Sequence, residues 1–487
     1  MKKIIYFAIL FLFTSCEKYL EVKPTNVLAL QTYEDVKSLM GAHIRAYVNT
    51  SYDSKLPGTT VHYLDQNFAF LFHFYGDDLN TKKYLDNWTG RNNRKLYNES
   101  MPWEEKEVTA QIWKENYANI GFYNTVIDEL ANIGGVSEDE ANIIKGEAKF
   151  LRAWNLFKLM QYFSPYKQDK YGIPVNFDSQ AVGNYDSRRR TQTEVYQLIL
   201  ADLNEILNYK TAPTTYNCFY DKKLIHALMA QIYLFKGGSG AGVSSDYDQA
   251  IIHAQAAMEG RTLADINEYT PIPRTEDATY GFYKDKPEAL IFDTRYNSSF
   301  MQGLVGIPVY GIAAGMCQFA SDDLYDLYDD KDVRKGLCFG ENKEILKFEQ
   351  INPEGAGSYG RSIHLFFTMA EMQLIIAESY ARKDDNINAK LALEALQSKR
   401  IKGYTSFTGN DVLQEILDER RREFCFEYDM RWCDLVRIQK GWTREWANNK
   451  ETPTVTIEDN DYRFCFPIPL NEELQYNKID QNPGWNL

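Results

Sequence analysis

The chain has 487 residues and a formal net charge of −14, with 68 acidic against 54 basic side chains. That balance argues against nucleic acid as a partner, which calls for a basic patch, and against a charge-held association with an anionic membrane surface. Its 34 tyrosines, 27 phenylalanines and 8 tryptophans supply core volume and flat amphipathic contact surface, so they suit tight helix packing first and carbohydrate contact second.

Lys2 and Lys3 precede an unbroken apolar run from Ile4 to Phe13, followed by Thr14, Ser15 and Cys16. A spanning helix needs about 20 apolar residues, so this shorter run predicts an export signal over residues 1–15. The Ser15-Cys16 ending resembles a bacterial lipoprotein cleavage box, with Phe13 where leucine is usual. Cys16 is therefore expected to carry a lipid, which anchors an otherwise soluble chain by about 0.8 kcal/mol per buried methylene. Residues 16–26 form a polar tether, and no Pro/Ser-rich linker divides the remainder, so 27–487 is expected to be one large unit.

Helical periodicity then recurs in pairs. Ala110 to Ile133 is matched by Glu138 to Phe163, and Gln192 to Asn208 by Lys222 to Lys236. Tyr247 to Met258 pairs with Ile363 to Arg382 across a long excursion, and Asn388 to Arg400 with Asn410 to Ile438. Four such pairs, over about 110–258 and 363–438, predict a mainly α fold: tetratricopeptide-like helical repeats stacked into a superhelix. Ala153 and Phe157 reproduce the A-x-x-x-F spacing of a second repeat helix. The segment with Phe150, Leu151, Trp154, Leu156, Phe157 and Leu159 is apolar on several faces, so neighbours must pack it from several sides. Gly237 to Gly242 lacks the GK[ST] of a phosphate loop and is predicted to end a helix in a turn. Over 52–103 and 260–362 the helical pattern lapses, and strand-like runs such as Ala289 to Arg295 appear. These regions predict a loop-rich irregular subdomain with short strands on the helical scaffold, where binding residues concentrate.

Seven cysteines include no CxxC pair, and six histidines show no zinc-ligand spacing, so no transition metal is expected. Cys425 and Cys433 are expected on one helix, about 12 Å apart along its axis, too far for a bridge.

The segment ERRREFCFEYDMRWCDLVR, Glu419 to Arg437, looks like the C-terminal signature of the SusD/RagB family, with Tyr428 in place of the usual glycine. Three further stretches resemble the family in the same order: Gly146 to Phe163, Phe367 to Ser379 and Phe466 to Trp485. Tyr19, Leu20, Glu21 and Pro24 after Cys16 are similar to its usual opening, whereas Phe367-Thr368 and residues 164–171 depart from its pattern. Physically, Glu419, Glu423 and Glu427 fall at i, i+4 and i+8 with Arg431 next, so an ion-pair ladder on one helical face is expected. Ile416, Leu417, Phe424, Tyr428, Trp432 and Leu435 would form the core-facing stripe, the whole locking the last repeat to the C-terminal segment. With 68 acidic residues, some pair at glycosidase separation is expected by chance, so no catalytic residue is nominated.

The resemblance implies an outer-membrane lipoprotein facing the cell exterior, a non-enzymatic receptor that needs no cofactor and captures oligosaccharide for a SusC-like, TonB-dependent transporter. A peptide receptor of the RagB kind, a surface glycoside hydrolase and an assembly scaffold are the alternatives. A sugar offers an apolar C–H face and a rim of hydroxyls, which aromatic rings and Asn, Asp or Arg side chains recognise together. The family tends to build its site from the two irregular regions. On that basis the ligand residues are expected to be Asp77, Asp78, Tyr84, Trp88, Arg91 and Asn92, facing Tyr296, Phe300 and Tyr310.

Overall fold

The computed structural model describes residues 30–48, 72, 75–80, 106–179, 188–212, 219–268, 289–297, 319–345, 347, 361–427, 429–445, 454–469 and 479–486. Twelve helices are found among these residues: α1 Tyr33–Val48, α2 Lys106–Asn132, α3 Glu138–Phe163, α4 Gln192–Ile206, α5 Lys222–Gly237 and α6 Asp246–Met258. After strand β1, Ala289–Asn297, come the short α7, Asp322–Tyr325, and α8, Val333–Cys338. Strand β2, Arg361–Thr368, runs directly into α9, Met369–Arg382, followed by α10 Asn386–Gln397, α11 Val412–Phe424 and α12 Met430–Ile438. Strands β3, Trp442–Glu445, and β4, Thr454–Ile457, form a small hairpin.

Two of the main helices carry their start signal in the sequence. Ser137 and Thr191 build capping boxes with Glu140 and Glu194, satisfying amide groups that the first turns of α3 and α4 leave unpaired. The packing follows the expected pairs in part: α2 lies on α3 and α6 on α9, whereas α4 packs chiefly on α3, α5 on α6, and α10 on α9, with only slight α4–α5 and α10–α11 contact. The contact of α6 with α9 closes across residues 259–368, as the helical pairing predicts. α3 is the central element and is buried without a break from Gly146 to Phe163. Trp154 meets Phe367 with ring centroids 5.8 Å apart, Phe157 meets Phe235 at 5.7 Å, and Phe163 meets Phe466 at 5.8 Å, so three sides are covered. Ala153 and Phe157 are both fully buried.

A helix enclosed on all sides must also house its charges. Arg152 donates to both carboxylate oxygens of Asp202 at 2.8 Å, Lys149 reaches Glu205 at 2.6 Å, and Lys158 reaches Asp429 at 2.8 Å. Among the described residues Glu147 has no cation; its carboxylate accepts from the Tyr220 backbone amide at 3.1 Å.

Two boundaries differ from the periodicity. Ile363 to Thr368, expected as the start of a helix, is strand, paired antiparallel with β1. Phe367 is a bulky, fully buried residue of the kind that packs well on a pleated surface, and Thr368 then caps α9 by accepting from the Glu371 amide at 3.0 Å. The helix expected from Asn410 to Ile438 is divided by a turn at 425–429, in which Phe426 takes a positive φ of 62°. Cys425 therefore lies in the turn and Cys433 on α12; both are buried free thiols. Gly237 to Gly242 does form the turn after α5, and a Cβ on Gly240 would stand 2.3 Å from the Asp169 amide nitrogen.

Burial without a cation pushes the Glu147 carboxyl up to about 8, so the folded chain keeps a proton that the unfolded chain sheds near its ordinary value of 4.5. Protons bound in excess by the folded state make stability fall as pH rises through that window. Glu147→Gln should therefore flatten the fall between pH 5 and pH 8 and stabilise the protein by roughly 2–4 kcal/mol at pH 8. Urea unfolding at pH 5, 6.5 and 8 reads this directly. An unchanged slope would show that Glu147 is ionised in the fold.

Candidate functional site

The described part of the expected ligand region is the short segment Tyr75–Asn80. Its entry is fixed by aromatic packing: Tyr75 is fully buried, with ring centroids 4.9 Å from Phe466 and 5.5 Å from Trp432. At its exit, Leu79 bridges Ala320, the Asn80 amide donates to the Phe319 carbonyl at 2.9 Å, and the Ser321 amide donates to the Asp78 carbonyl at 2.7 Å. The first irregular region thus joins the second at a backbone crossing. The Ser321 side chain caps α7 there, accepting from the Leu324 amide.

Asp77 and Asp78 sit between these two fixings, and their carboxylates are spent on arginines. Arg431 from α12 donates Nε and Nη2 to the two oxygens of Asp77, each at 2.7 Å. Arg421 from α11 donates Nε to Asp78 Oδ1 at 2.7 Å and lies 3.3 Å from Asp77 Oδ2. Arg444 of β3 donates to the Gly76 carbonyl. Burial raises a carboxyl, but the Arg431 and Arg421 guanidiniums win at Asp77 and hold it well below its usual range. At Asp78 burial wins over the same arginines, with repulsion from Asp77 adding to it, and its carboxyl is pushed up. The same burial lowers Arg444 to about 9. The pair of acids expected to touch ligand is thus the anchor of the segment that leads to Tyr84 and Trp88.

Tyr84, Trp88, Arg91, Asn92, Phe300 and Tyr310 lie outside the described residues, as does Cys16. Tyr296 is on β1, in register with Ser362 of β2, and its side chain is likewise outside the description. Sequence inspection missed Arg421, Arg444 and Lys347, because their partners are distant in the chain and no local spacing announces them.

The signature segment also differs from its expected form. Its acids do not form the expected ladder with Arg431: Glu419 is bridged within α11 by Arg422 at 2.7 Å, and Glu419, Glu423 and Glu427 each also take a cation from outside that helix. Glu419 and Glu423 both receive Nη1 of Arg334, at 2.6 and 2.7 Å, and Arg334 also grips Asp332 through Nε and Nη2 at 3.0 and 2.7 Å. Arg400 adds a donor to Glu423 at 2.9 Å, and Lys347 pairs with Glu427 at 3.0 Å. The last repeat is therefore locked to residues 332–347 of the irregular region, whereas the C-terminal segment is held by α3: the Phe466 amide donates to the Tyr162 carbonyl at 2.8 Å. Ile416, Phe424, Trp432 and Leu435 are buried as expected, Leu417 is only partly so, and Tyr428 lies outside the described residues.

With this geometry in place, similarity to known proteins can be stated. A SusD-like family profile described as "Starch-binding associating with outer membrane" matches residues 18–234, and the SusD family profile, SusD/RagB, matches residues 342–485. No curated protein matches the chain significantly. Among solved structures, a SusD superfamily protein from Bacteroides thetaiotaomicron shares 20% identity and a TM-score of 0.69 over 93% of this chain and 100% of that one. A SusD-like carbohydrate binding protein from Bacteroides vulgatus has 17% identity and a TM-score of 0.66, covering 92% of this chain and 97% of its own. A laminarin-binding SusD-like protein has 16% identity and a TM-score of 0.61, covering 93% and 100%. At such identities the likeness is one of fold, and it agrees with the helical-repeat architecture described above.

Removing one member of a buried ion pair strands the other, at a cost of about 3–5 kcal/mol. Arg431→Ala should cost that much in chemical denaturation at pH 7. Pairing it with Asp77→Asn should recover part of the loss, a coupling that a double-mutant cycle measures. Additive losses would mean that the Asp77–Arg431 contact does not anchor the segment.

Proposed function

The chain belongs to the SusD/RagB family, and from that premise we propose that it is a non-catalytic, lipid-anchored receptor at the outer-membrane surface. In this proposal it captures oligosaccharide and delivers it to a SusC-like TonB-dependent transporter. The observation that carries the ligand side is the crossing of Leu79 on Ala320, which roots both irregular regions at one point on the helical scaffold. Loops that leave a rigid root can hold aromatic and polar side chains in a constant arrangement at low entropic cost. Tyr84, Trp88, Arg91 and Asn92 follow the root on one side, and Tyr296, Phe300 and Tyr310 precede it on the other. Asp77 and Asp78 belong to the support of this site, since their carboxylates are already paired.

A receptor role, not hydrolysis, is supported by the state of the acids in the signature. Glu419 and Glu423 are buried and ion-paired, with Arg334 holding both, so neither is placed to exchange protons with a sugar in solvent. The likeness to a laminarin-binding protein favours glycan over peptide as cargo. The proposal retains an export signal over residues 1–15 and a lipidated Cys16 with its tether to residue 26. No helix among the described residues is long and apolar enough to cross a membrane.

Isothermal titration against a panel of oligosaccharides should find a ligand with a dissociation constant in the micromolar to millimolar range, about −8 to −4 kcal/mol. Trp88→Ala should then abolish the heat while barely moving the melting temperature. Heat from peptides alone would transfer the proposal to the RagB-type alternative, and release of shorter sugars during the titration would mark a hydrolase.

The anchor has its own test. Cys16→Ala, expressed with the transporter deleted, should leave the membrane fraction and become soluble. A variant that still pellets with outer membrane and stays open to external protease would remove the lipid from the proposal.

A further inference from the structure

Between α3, α5, α9, α11 and α12 lies a cavity of about 60 Å³, remote in sequence from the candidate ligand loops. One water requires roughly 10–15 Å³ measured this way, so the space holds several waters or one small ion with company. Arg420 and Arg437 line it and are almost wholly buried. Arg420 donates Nε and Nη2 to Asp434, both at 3.2 Å, and Arg437 donates Nε to Asp434 at 2.8 Å and Nη1 to Glu378. That leaves Arg420 Nη1 and Arg437 Nη2 buried with no hydrogen-bond partner among the described residues. A buried guanidinium N–H without an acceptor is costly, and two on one cavity call for something that accepts from both.

The local charge points the same way. Arg382, Arg420 and Arg437 share two carboxylates, Glu378 and Asp434. The other ions on the cavity are matched elsewhere: Lys158 with Asp429, and Glu427 with Lys347. Glu371 also faces the cavity, with both oxygens 2.9 Å from the Gln231 amide nitrogen. Gln161, on the same wall, has an amide oxygen without a partner among the described residues, and turning that amide over would present its NH₂ to the space.

We propose that this cavity binds one small monovalent anion, of halide or formate size, between the free N–H groups of Arg420 and Arg437. The bound anion supplies the charge that three guanidiniums lack from two carboxylates. It is separate from the nutrient site and does not depend on what the nutrient is. Glu371 competes with it. Burial raises that carboxyl to about 7 against the pull of Arg420 and Lys158, with Asp434 adding repulsion. Below that value Glu371 is neutral and the anion completes the balance; above it, the ionised Glu371 does so and the anion is displaced.

The test uses bromide on the full-length chain. At pH 6, crystals grown with bromide as the sole halide should show an anomalous peak in contact with both guanidiniums. In solution, bromide at constant ionic strength against gluconate should raise the melting temperature at pH 6, with an apparent affinity that weakens about tenfold per pH unit above 7. Glu371→Gln keeps the contact with Gln231 and removes the titration, so its bromide affinity should be unchanged from pH 6 to pH 8.5. Arg420→Lys deletes Nη1 and should weaken bromide at least tenfold. Ordered water without anomalous signal would overturn the proposal, as would a bromide effect that is equal in wild type and Arg420→Lys.

Discussion

A fully buried guanidinium, that of Arg334, ties the described end of the second irregular region to the helical scaffold. It reaches Asp332 of its own segment and Glu419 and Glu423 of α11, and all four side chains are withdrawn from water. Desolvating so many charges is expensive, and the cost is met only when every donor finds its acceptor in good geometry. An apolar contact tolerates sliding; this one does not. A register shift of one residue along α11 would turn Glu419 and Glu423 away from Arg334 and leave like charges buried together. The interaction therefore contributes more to selecting one arrangement than to the depth of the free-energy minimum.

From that fixing the rest of the ligand side follows. Arg334 stands on α8, whose neighbouring strand-like residues Phe339 and Ile345 bridge each other, while Phe319 bridges Glu344. Ala320, next in the chain, carries the crossing with Leu79. Arg421 and Arg431 extend the same charged seam to Asp77 and Asp78. The helices α11 and α12 thus work as a charged rail, with the later excursion seated on one length of it and the earlier segment on another. The turn at 425–429 between them lets the two lengths point in different directions, and Lys347 closes it by donating to the Glu423 and Cys425 carbonyls at 2.6 and 3.2 Å.

What could be read from the residue pattern follows the same division. α3 was legible because a segment apolar on several faces has one physical solution, enclosure, and its capping box marks where it begins. The pairing of α6 with α9 was legible for a similar reason, since two half-apolar helices must cover each other even with a hundred residues between them. Charged partners carry no such signal. Glu419 and Glu423 look like an exposed stripe at helical spacing, and only the arrival of Arg334 and Arg400 from elsewhere makes them core residues. Asp77 and Asp78 pose the same difficulty: two adjacent acids before aromatic residues suggest sugar contacts, and nothing local announces the two arginines, some 350 positions later, that pair with them. The break after Phe424 was hidden because the heptad-like charges continue across it, while the backbone turns with Phe426 in the left-handed region.

The two structural materials in this chain serve different ends. The aromatic and aliphatic core around α3 gives the repeats their cohesion, and it tolerates replacement of one apolar side chain by another of similar volume. The charged seam stores specificity in a few long-range pairs, and its penalty for mismatch is steep. In the proposed receptor role, binding loops that vary with cargo benefit from this separation. Loops can diverge freely beyond Asn80 or before Phe319 so long as the carboxylates and arginines at their roots are kept. The aromatic core still reaches the root of the earlier loop, where Tyr162 of α3 packs on Phe72 with ring centroids 4.9 Å apart. A fold rooted in this way can keep its charged signature while the residues that meet a nutrient follow no common motif, and in this chain the signature is legible where the proposed ligand residues match none.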